Sequence, residues 1–242
     1  MSGGLRLFVA AEPPPGVREQ LAHWARGAIG RSTGVRRLPA ELLHLTLCFL
    51  GEQPASAVEE IAAVLASMVE PLAAVEELSV GAPAWLPPRR PRVLAVGVGD
   101  PSGGLGALHD ALVAELTATL DWQPARERFR PHITLARMRP GSEPAHELPP
   151  TPAISFTPTA ATLFRSDLDP AGASYTALAS IPACAAASVP GAWRLHGAPA
   201  AEDEQVPSAA ARRVGYPIQR DRSLTMSVTE DDKAAKARVA AL

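Results

Sequence analysis

His44-Leu45-Thr46-Leu47 and His132-Ile133-Thr134-Leu135 spell the same pattern twice, each time inside an apolar run. The first continues through Cys48-Phe49-Leu50-Gly51, and the second is entered by Phe129-Arg130-Pro131 and left by Ala136-Arg137. Short apolar runs bounded by glycine or proline read as strands. Side chains alternate along a strand with period two. His44 and Thr46 are therefore expected on one face, with Leu45, Leu47 and Phe49 on the other. His132 and Thr134 repeat the arrangement, backed by Ile133 and Leu135. The same alternation puts Cys48 on the face of His44. Each strand can bury its aliphatic side in a core and still present an imidazole and a hydroxyl together. Two such strands side by side make one cleft with paired imidazoles.

The flanking sequence supplies the partners for these strands. Leu5 to Ala11 reads as a first strand, stopped by Pro13-Pro14-Pro15, and Val17, Leu21, Trp24 and Ala28 then recur at helical spacing up to about Gly30. Ser56-Ala57-Val58-Glu59 is a capping-box pattern, followed by the stripe Val58, Ile61, Leu65 and Met68. Leu78 to Gly81 and Arg92 to Val98 are strand-like, separated by a Pro/Arg turn over 86–91. Leu105, Leu108, Leu112 and Leu116 mark a third helix. Two further strands are expected, Ala153 to Phe164 and Tyr175 to Ile181. The order divides into two related halves, each contributing one His-x-Thr strand. The expected architecture is thus α+β: a pseudo-two-fold bilobed domain, with two antiparallel sheets lining a central cleft and helices outside.

Residues 1–184 hold all of these signals. From Ala185 the chain turns to Ala, Pro, Ser, Gly and charge without an apolar period, so 185–242 is expected to be a flexible extension. At 242 residues, 47% hydrophobic and with a formal charge of −2, the chain belongs with soluble globular proteins and lacks a whole-domain basic field for nucleic acid. Its two lysines, Lys233 and Lys236, fall near the end, so phosphate handling before them rests on Arg, His, hydroxyl and backbone groups. Two distant cysteines, Cys48 and Cys184, suit reduced thiols rather than a disulfide framework. The apolar stretch Leu7 to Ala11 is too short for a signal core or a membrane span. A cytoplasmic monomer without membrane attachment is the expectation.

Paired histidines suit in-line displacement at phosphorus. One neutral imidazole takes a proton from the attacking oxygen, and one imidazolium protonates the leaving oxygen from the opposite side. Thr46 and Thr134 would donate to non-bridging oxygens, with Arg137 or Arg130 assisting electrostatically. A metal centre would need further ligands, such as HExxH, CxxC or an acidic cluster, and none is spelled, so neither metal nor cofactor is expected. A Cys48 thiol nucleophile is conceivable, but a small buried sulfur is the better reading. Gly97-Val98-Gly99-Asp100-Pro101-Ser102-Gly103 fails the dinucleotide spacing and reads as a turn. His23, His109, His146 and His196 have no paired context and read as surface or structural.

The same residues resemble a known family. Arg6-Leu7-Phe8-Val9-Ala10, Leu43 to Glu52, Arg90 to Leu94, Phe129 to Arg137, Leu163 to Ser166 and Gly172 to Thr176 are similar to the two-histidine phosphoesterases, in the branch of LigT-like RNA 2',3'-cyclic phosphodiesterases, also called 2'-5' RNA ligases. That resemblance implies metal-independent hydrolysis of a terminal RNA 2',3'-cyclic phosphate to a 2'-phosphomonoester. It implies His44 as proton donor to the departing 3' oxygen and His132 as the base on water. Relatives also join RNA ends through a 2'-5' linkage. Many relatives carry a basic residue at the position of Cys48, and the tail lies outside the family pattern. Two rival readings keep the cleft: an enzyme for 2'-5' linked oligonucleotides or small cyclic nucleotides, and an RNA-end binding protein whose histidines only grip phosphate.

Overall fold

The structure is a computed structural model and describes residues 4–30, 34–125, 128–144, 147–169, 172–183 and 194–195. Strand β1 (Leu5–Glu12) leads into helix α1 (Pro15–Ile29), a short strand β2 (Val35–Arg37) and β3 (Leu45–Gln53). Helices α2 (Ala57–Ser67) and α3 (Val69–Ala73) precede β4 (Leu78–Leu86), β5 (Val93–Gly99), α4 (Gly104–Thr119) and β6 (His132–Met138). The chain continues through β7 (Ser155–Phe156), β8 (Ala160–Asp169), β9 (Gly172–Pro182) and β10 (Arg194–Leu195). The expected extension 185–242 lies outside the described residues, apart from β10, which pairs with β9.

The expected two sheets are hydrogen-bonded into one. Its order is β10-β9-β8-β1-β3-β6-β5-β4-β7, with β2 on β6, and every pairing is antiparallel. The join is thin: β3 meets β6 at the single pair Leu45↔Ile133. On either side of it the same plan recurs, β1-α1-β3 and β5-α4-β6. Each plan's helix packs across the join, α1 against β6 and α4 against β3, so the two sides are held together through the core.

That core is one apolar cluster. Val17 and Leu21 of α1, Ile61 and Leu65 of α2, Met68 after it, and Leu105, Leu108, Leu112 and Leu116 of α4 bury in it, as the helical spacing predicts. Ala25 and Ile29 complete the buried face of α1, while Trp24, Ala28 and Val58, expected on the stripes, are half-buried. Three local expectations are corrected. The capping box does not form: Ser56 is itself in helical geometry and makes no side-chain cap, and the helix is entered through a turn in which the amides of Ala57 and Val58 bond to the carbonyls of Pro54 and Ala55. The strand expected over Ala153 to Phe164 is two strands in distant places, β7 on β4 and β8 on β1. Pro158, between them, lacks the amide a continuous ladder would use. Strand β4 extends past Gly81 to Leu86 by skipping register around Pro83.

Candidate active site

Each His-x-Thr strand begins beside the join. Extending the Leu45↔Ile133 register by one residue each way sets His44 opposite Thr134 and Thr46 opposite His132, on the face away from Leu45 and Ile133. The histidines thus occupy a diagonal, for which the backbone spacing is about 7–8 Å. Leu45 and Ile133 themselves are fully buried on the helix side.

Both strands then break their alternation at the same place. Val9 pairs with Cys48 and Ala10 with Thr46, which leaves Leu47 as a bulge; Leu94 pairs with Ala136 and Ala95 with Thr134, which leaves Leu135 as its counterpart. A bulge adds one residue and reverses which face the following side chains take. Each freed carbonyl has a donor of its own: Leu47 O accepts from His109 Nδ1 at 2.9 Å, and Leu135 O from the Leu38 amide at 2.8 Å. The consequence is a correction to strict alternation. Cys48, 5% exposed, joins the core, and Phe49, expected there, is 66% exposed on the histidine face. Ala136 is buried and Arg137 exposed in the same way. Alternation then returns Leu50 to the core, 3% exposed, and a second bulge at Leu50, beside Gly51 with φ 70°, shifts the register once more.

The two rings are held identically. His44 Nδ1 bonds to Leu42 O at 2.8 Å, and His132 Nδ1 to Arg130 O at 2.8 Å, each the carbonyl two residues earlier. A carbonyl only accepts, so Nδ1 keeps its hydrogen in either charge state, and Nε2 is the atom left to gain or lose a proton. The Val98 amide bonds to Pro131 O at 3.0 Å and fixes the approach to His132.

The surroundings of the two rings differ. His44 is half-buried among Phe8 (centroids 5.0 Å), Tyr175 (5.2 Å, edge-on) and Phe164 (6.3 Å). Desolvation by these neighbours pushes its pKa down to about 4; the bond to Leu42 O opposes the shift, and Arg137 and His132 add to it. Across the join, His132 and Thr134 face Gly97 and Ala95 of β5, which bring no ring. A small pocket opens beside His44, which lines it together with Tyr175, Phe164, Leu42 and the Glu12–Arg18 pair. Glu12 accepts from the buried Thr162 hydroxyl, which also bonds Ser180.

Thr46 and Thr134 are half-buried on the histidine face. Arg137 reaches back over the join, its Nη2 donating to Tyr175 OH at 3.5 Å, a long contact. Arg130 contributes its carbonyl to the site; its exposed side chain makes none of the described hydrogen bonds or ion pairs. Cys48 is removed from the cleft, and burial pushes its thiol up to about 12, so neither a thiolate nucleophile nor an effect on cleft charge follows from it. His109 is structural: besides bonding Leu47 O, it stacks on Phe129 at 4.0 Å and 4°. His23 is exposed, and His146 and His196 lie outside the described residues. The Gly97–Gly103 segment is the end of β5 and a turn whose Asp100 carboxylate accepts from the Gly106 amide. Among the described residues, no group of three or more His, Cys, Asp or Glu could hold a metal, and no helix is long and apolar enough to cross a membrane.

The aromatic wall around His44 and the Glu12 pocket were not assigned by pattern reading. The bulges did leave a signal: Leu47-Cys48 and Leu135-Ala136 are consecutive apolar pairs, and the charged Arg137 stands where alternation would bury it.

Comparison with known proteins gives the family. Residues 13–170 match the family model of the 2'-5' RNA ligase superfamily. The chain is 35% identical over 178 residues to the RNA 2',3'-cyclic phosphodiesterase of Escherichia coli, covering 74% of this chain and 96% of that one. The crystal structure of E. coli LigT complexed with 3'-AMP superposes with a TM-score of 0.59 at 30% identity, over 74% of this chain and 98% of that one. A Thermus thermophilus protein of known structure superposes with a TM-score of 0.63 at 29% identity, over 73% and 97%. With its mixed α/β fold around a curled antiparallel sheet, its twin His-x-Thr strands and these relatives, the chain belongs to the 2'-5' RNA ligase superfamily and is an enzyme of the LigT-like, two-histidine phosphoesterase kind.

Proposed function

We propose that the protein hydrolyses the 2',3'-cyclic phosphate at an RNA end to a 2'-phosphomonoester, without a metal ion, in the cleft between its two halves. The observation that carries the reading is the pair of histidines on one face, each with Nδ1 tied to a carbonyl and Nε2 left for proton transfer. A relative with the same span bears the name RNA 2',3'-cyclic phosphodiesterase, and LigT holds a nucleotide phosphate in its crystal.

In the proposed step, His132 Nε2 takes a proton from water as its oxygen bonds to phosphorus. The bond from phosphorus to O3' breaks, and His44 Nε2 gives its proton to that oxygen, leaving a 3'-hydroxyl and a 2'-phosphate. Thr46 and Thr134 donate to the non-bridging oxygens, and Arg137, with Arg130 at the entrance, offsets the developing charge. Open surroundings suit His132 to meet water, and the ring-lined side suits His44 to meet the nucleoside that departs. With the 5'-hydroxyl of a second RNA end in place of water, the same step breaks the bond from phosphorus to O3' and joins the ends through a 2'-5' linkage, the reaction for which the superfamily is named. Residues 1–184 carry the activity as a cytoplasmic monomer in this reading.

The test is an RNA ending in a 2',3'-cyclic phosphate, incubated with EDTA and with wild type, His44→Ala or His132→Ala. The expected result is a 2'-phosphate product that is lost by about 10² or more in each variant. Turnover that requires added metal, or that survives either substitution, refutes the mechanism. RNA binding that weakens in His44→Ala with no wild-type turnover identifies an RNA-end binding protein instead, and turnover confined to 2'-5' linked or small cyclic nucleotides changes the substrate.

A further inference from the structure

The chain carries a net charge of −2, yet one corner of its sheet is entirely positive. Three segments meet there. Strand β2 lies along one edge of β6 with Arg36 directly opposite Arg137, and β5 lies along the other edge with Val93 opposite the same Arg137. The third segment is the tip between β4 and β5, residues 87–92, held to β6 by the bond from the Met138 amide to Arg92 O at 2.7 Å. Residues 34–38, 86–95 and 132–141 together hold seven arginines and no aspartate or glutamate.

Residues directly opposite on antiparallel strands share a face, so Arg36 joins Arg137 on the histidine face, and like charges so placed destabilise a sheet. A nearby carboxylate would offset the repulsion, but none of the ion pairs among the described residues involves these arginines. Arg37 alternates to the helix side, where it donates to Gly30 O at 3.1 Å. Arg139 follows at the end of β6, its amide on Gly34 O at 2.8 Å, and Arg89, Arg90 and Arg92 stand exposed on the tip. Pro87, Pro88 and Pro91 fix backbone angles there, and the Arg90 amide closes the turn on Pro87 O at 3.2 Å, so the guanidiniums sit on a stiff support. Repulsion held in place without a counter-charge is relieved when a polyanion binds.

We propose that the Arg36–Arg137 corner and the arginine tip between β4 and β5 hold the phosphates of the RNA strand upstream of its reacting end, gripping a polynucleotide by charge and not by base sequence. This rests on the RNA-end reading above and adds the course of the strand to it. The corner begins at Arg137, on the same strand as His132 and Thr134, and leads away from them over β2 and the tip. The pocket beside His44 is bordered by Glu12 and Glu41, whose carboxylates repel phosphate, so the arginine side is the better path for the strand. Guanidinium forks suit phosphate oxygens, and contacts of this kind position a strand without reading it.

The test measures affinity for an RNA of about eight nucleotides with a 3'-phosphate, and for 3'-AMP, between about 50 and about 200 mM salt. Wild type is compared with a variant carrying Arg36→Gln, Arg89→Gln and Arg90→Gln. Each phosphate contact on a single strand contributes about 0.7 to the slope of log affinity against log salt. The variant's slope for RNA should therefore be shallower by about 2, and its deficit against wild type should shrink about 16-fold across that range. Arg36→Lys, Arg89→Lys and Arg90→Lys together should keep the wild-type slope, because charge sets it. Affinity for 3'-AMP, and turnover of a mononucleoside 2',3'-cyclic phosphate, should stay within about twofold of wild type, since salt screens charges outside the contact itself. Equal slopes in wild type and the glutamine variant, or equal losses on RNA and 3'-AMP, overturn the proposal. Salt-sensitive RNA binding that the glutamine variant weakens, without hydrolysis of the cyclic phosphate by wild type, supports it and fails only the hydrolytic reading.

Discussion

Folding should cost His44 its ordinary affinity for a proton, and the size of that cost is readable from the site. In the unfolded chain the ring titrates at 6.5; in the folded protein desolvation lowers it to about 4. The unfolded state therefore takes up a proton first as pH falls. Stability from this residue is complete above pH 6.5, declines as pH drops, and levels off below pH 4, where both states are protonated. Worked through, the loss is about 2 kcal/mol between pH 7 and pH 5 and ~3 kcal/mol by pH 4. His44→Asn removes the titrating group while its amide can still donate to Leu42 O. Urea unfolding of both proteins at pH 7 and pH 5 should show wild type losing about 2 kcal/mol more than the variant.

The same shift bears on catalysis. A neutral His44 is a poor standing acid, so the proposed donor must be charged by its substrate. A phosphodiester anion about 4.5 Å from the ring, at an effective dielectric of about 20, is worth ~3.5 kcal/mol, or ~2.5 pKa units, enough to return the imidazole to its usual range. NMR titration of the His44 ring should give a value of about 4 in the free protein and a clear rise with 3'-AMP bound. A ring that titrates at 6.5 in the free protein, together with parallel stability profiles for wild type and His44→Asn, would refute the reasoning.

Three further outcomes are expected. Cys48 in native Cys184→Ser protein should resist a disulfide reagent at about pH 8 and react promptly in urea, since its thiol is buried and pushed up to about 12. His109→Ala leaves Leu47 O without its donor and Phe129 without its stacking partner, and should lower unfolding free energy by about 1–3 kcal/mol, read by urea denaturation. Ile133→Ala, at the single pair that joins the halves, should cost about 2–5 kcal/mol in the same assay.

Much of the site was legible because hydrophobic period carries it. The two His-x-Thr strands, their buried backing at Leu45 and Ile133 and the leucine stripe of α4 all follow from spacing that burial enforces. What spacing does not carry is register. The bulges at Leu47 and Leu135 reverse the faces of Cys48, Phe49, Ala136 and Arg137, and depend on donors from distant segments, His109 and Leu38, that only the folded chain brings near. Likewise, one hydrogen-bonded pair decides whether the halves form two sheets or one, and no composition signal marks it. Pro158 did mark the break between β7 and β8, but their separation across the sheet is tertiary. The capping box failed because Ser56 itself takes helical backbone angles, φ −63° and ψ −26°, where a cap residue needs a non-helical conformation.

The repeated motif and its unequal surroundings together explain how one backbone plan would serve the two proposed proton-transfer roles. Identical Nδ1 bonds and mirrored bulges make the histidines interchangeable as chemical groups, so nothing within His-x-Thr distinguishes a donor from an acceptor. The distinction comes from the neighbouring strands: β1, β8 and β9 bring Phe8, Phe164 and Tyr175 against His44, whereas β5 brings Gly97 and Ala95 opposite His132 and Thr134. An exchange of environment should therefore move function more than an exchange of motif. Phe8→Ala, which uncovers His44 to water, should raise its pKa in the free protein toward 6.5 and weaken the dependence of its protonation on bound phosphate. If NMR finds the ring of that variant still titrating at about 4, desolvation by the aromatic wall is not what sets the two histidines apart.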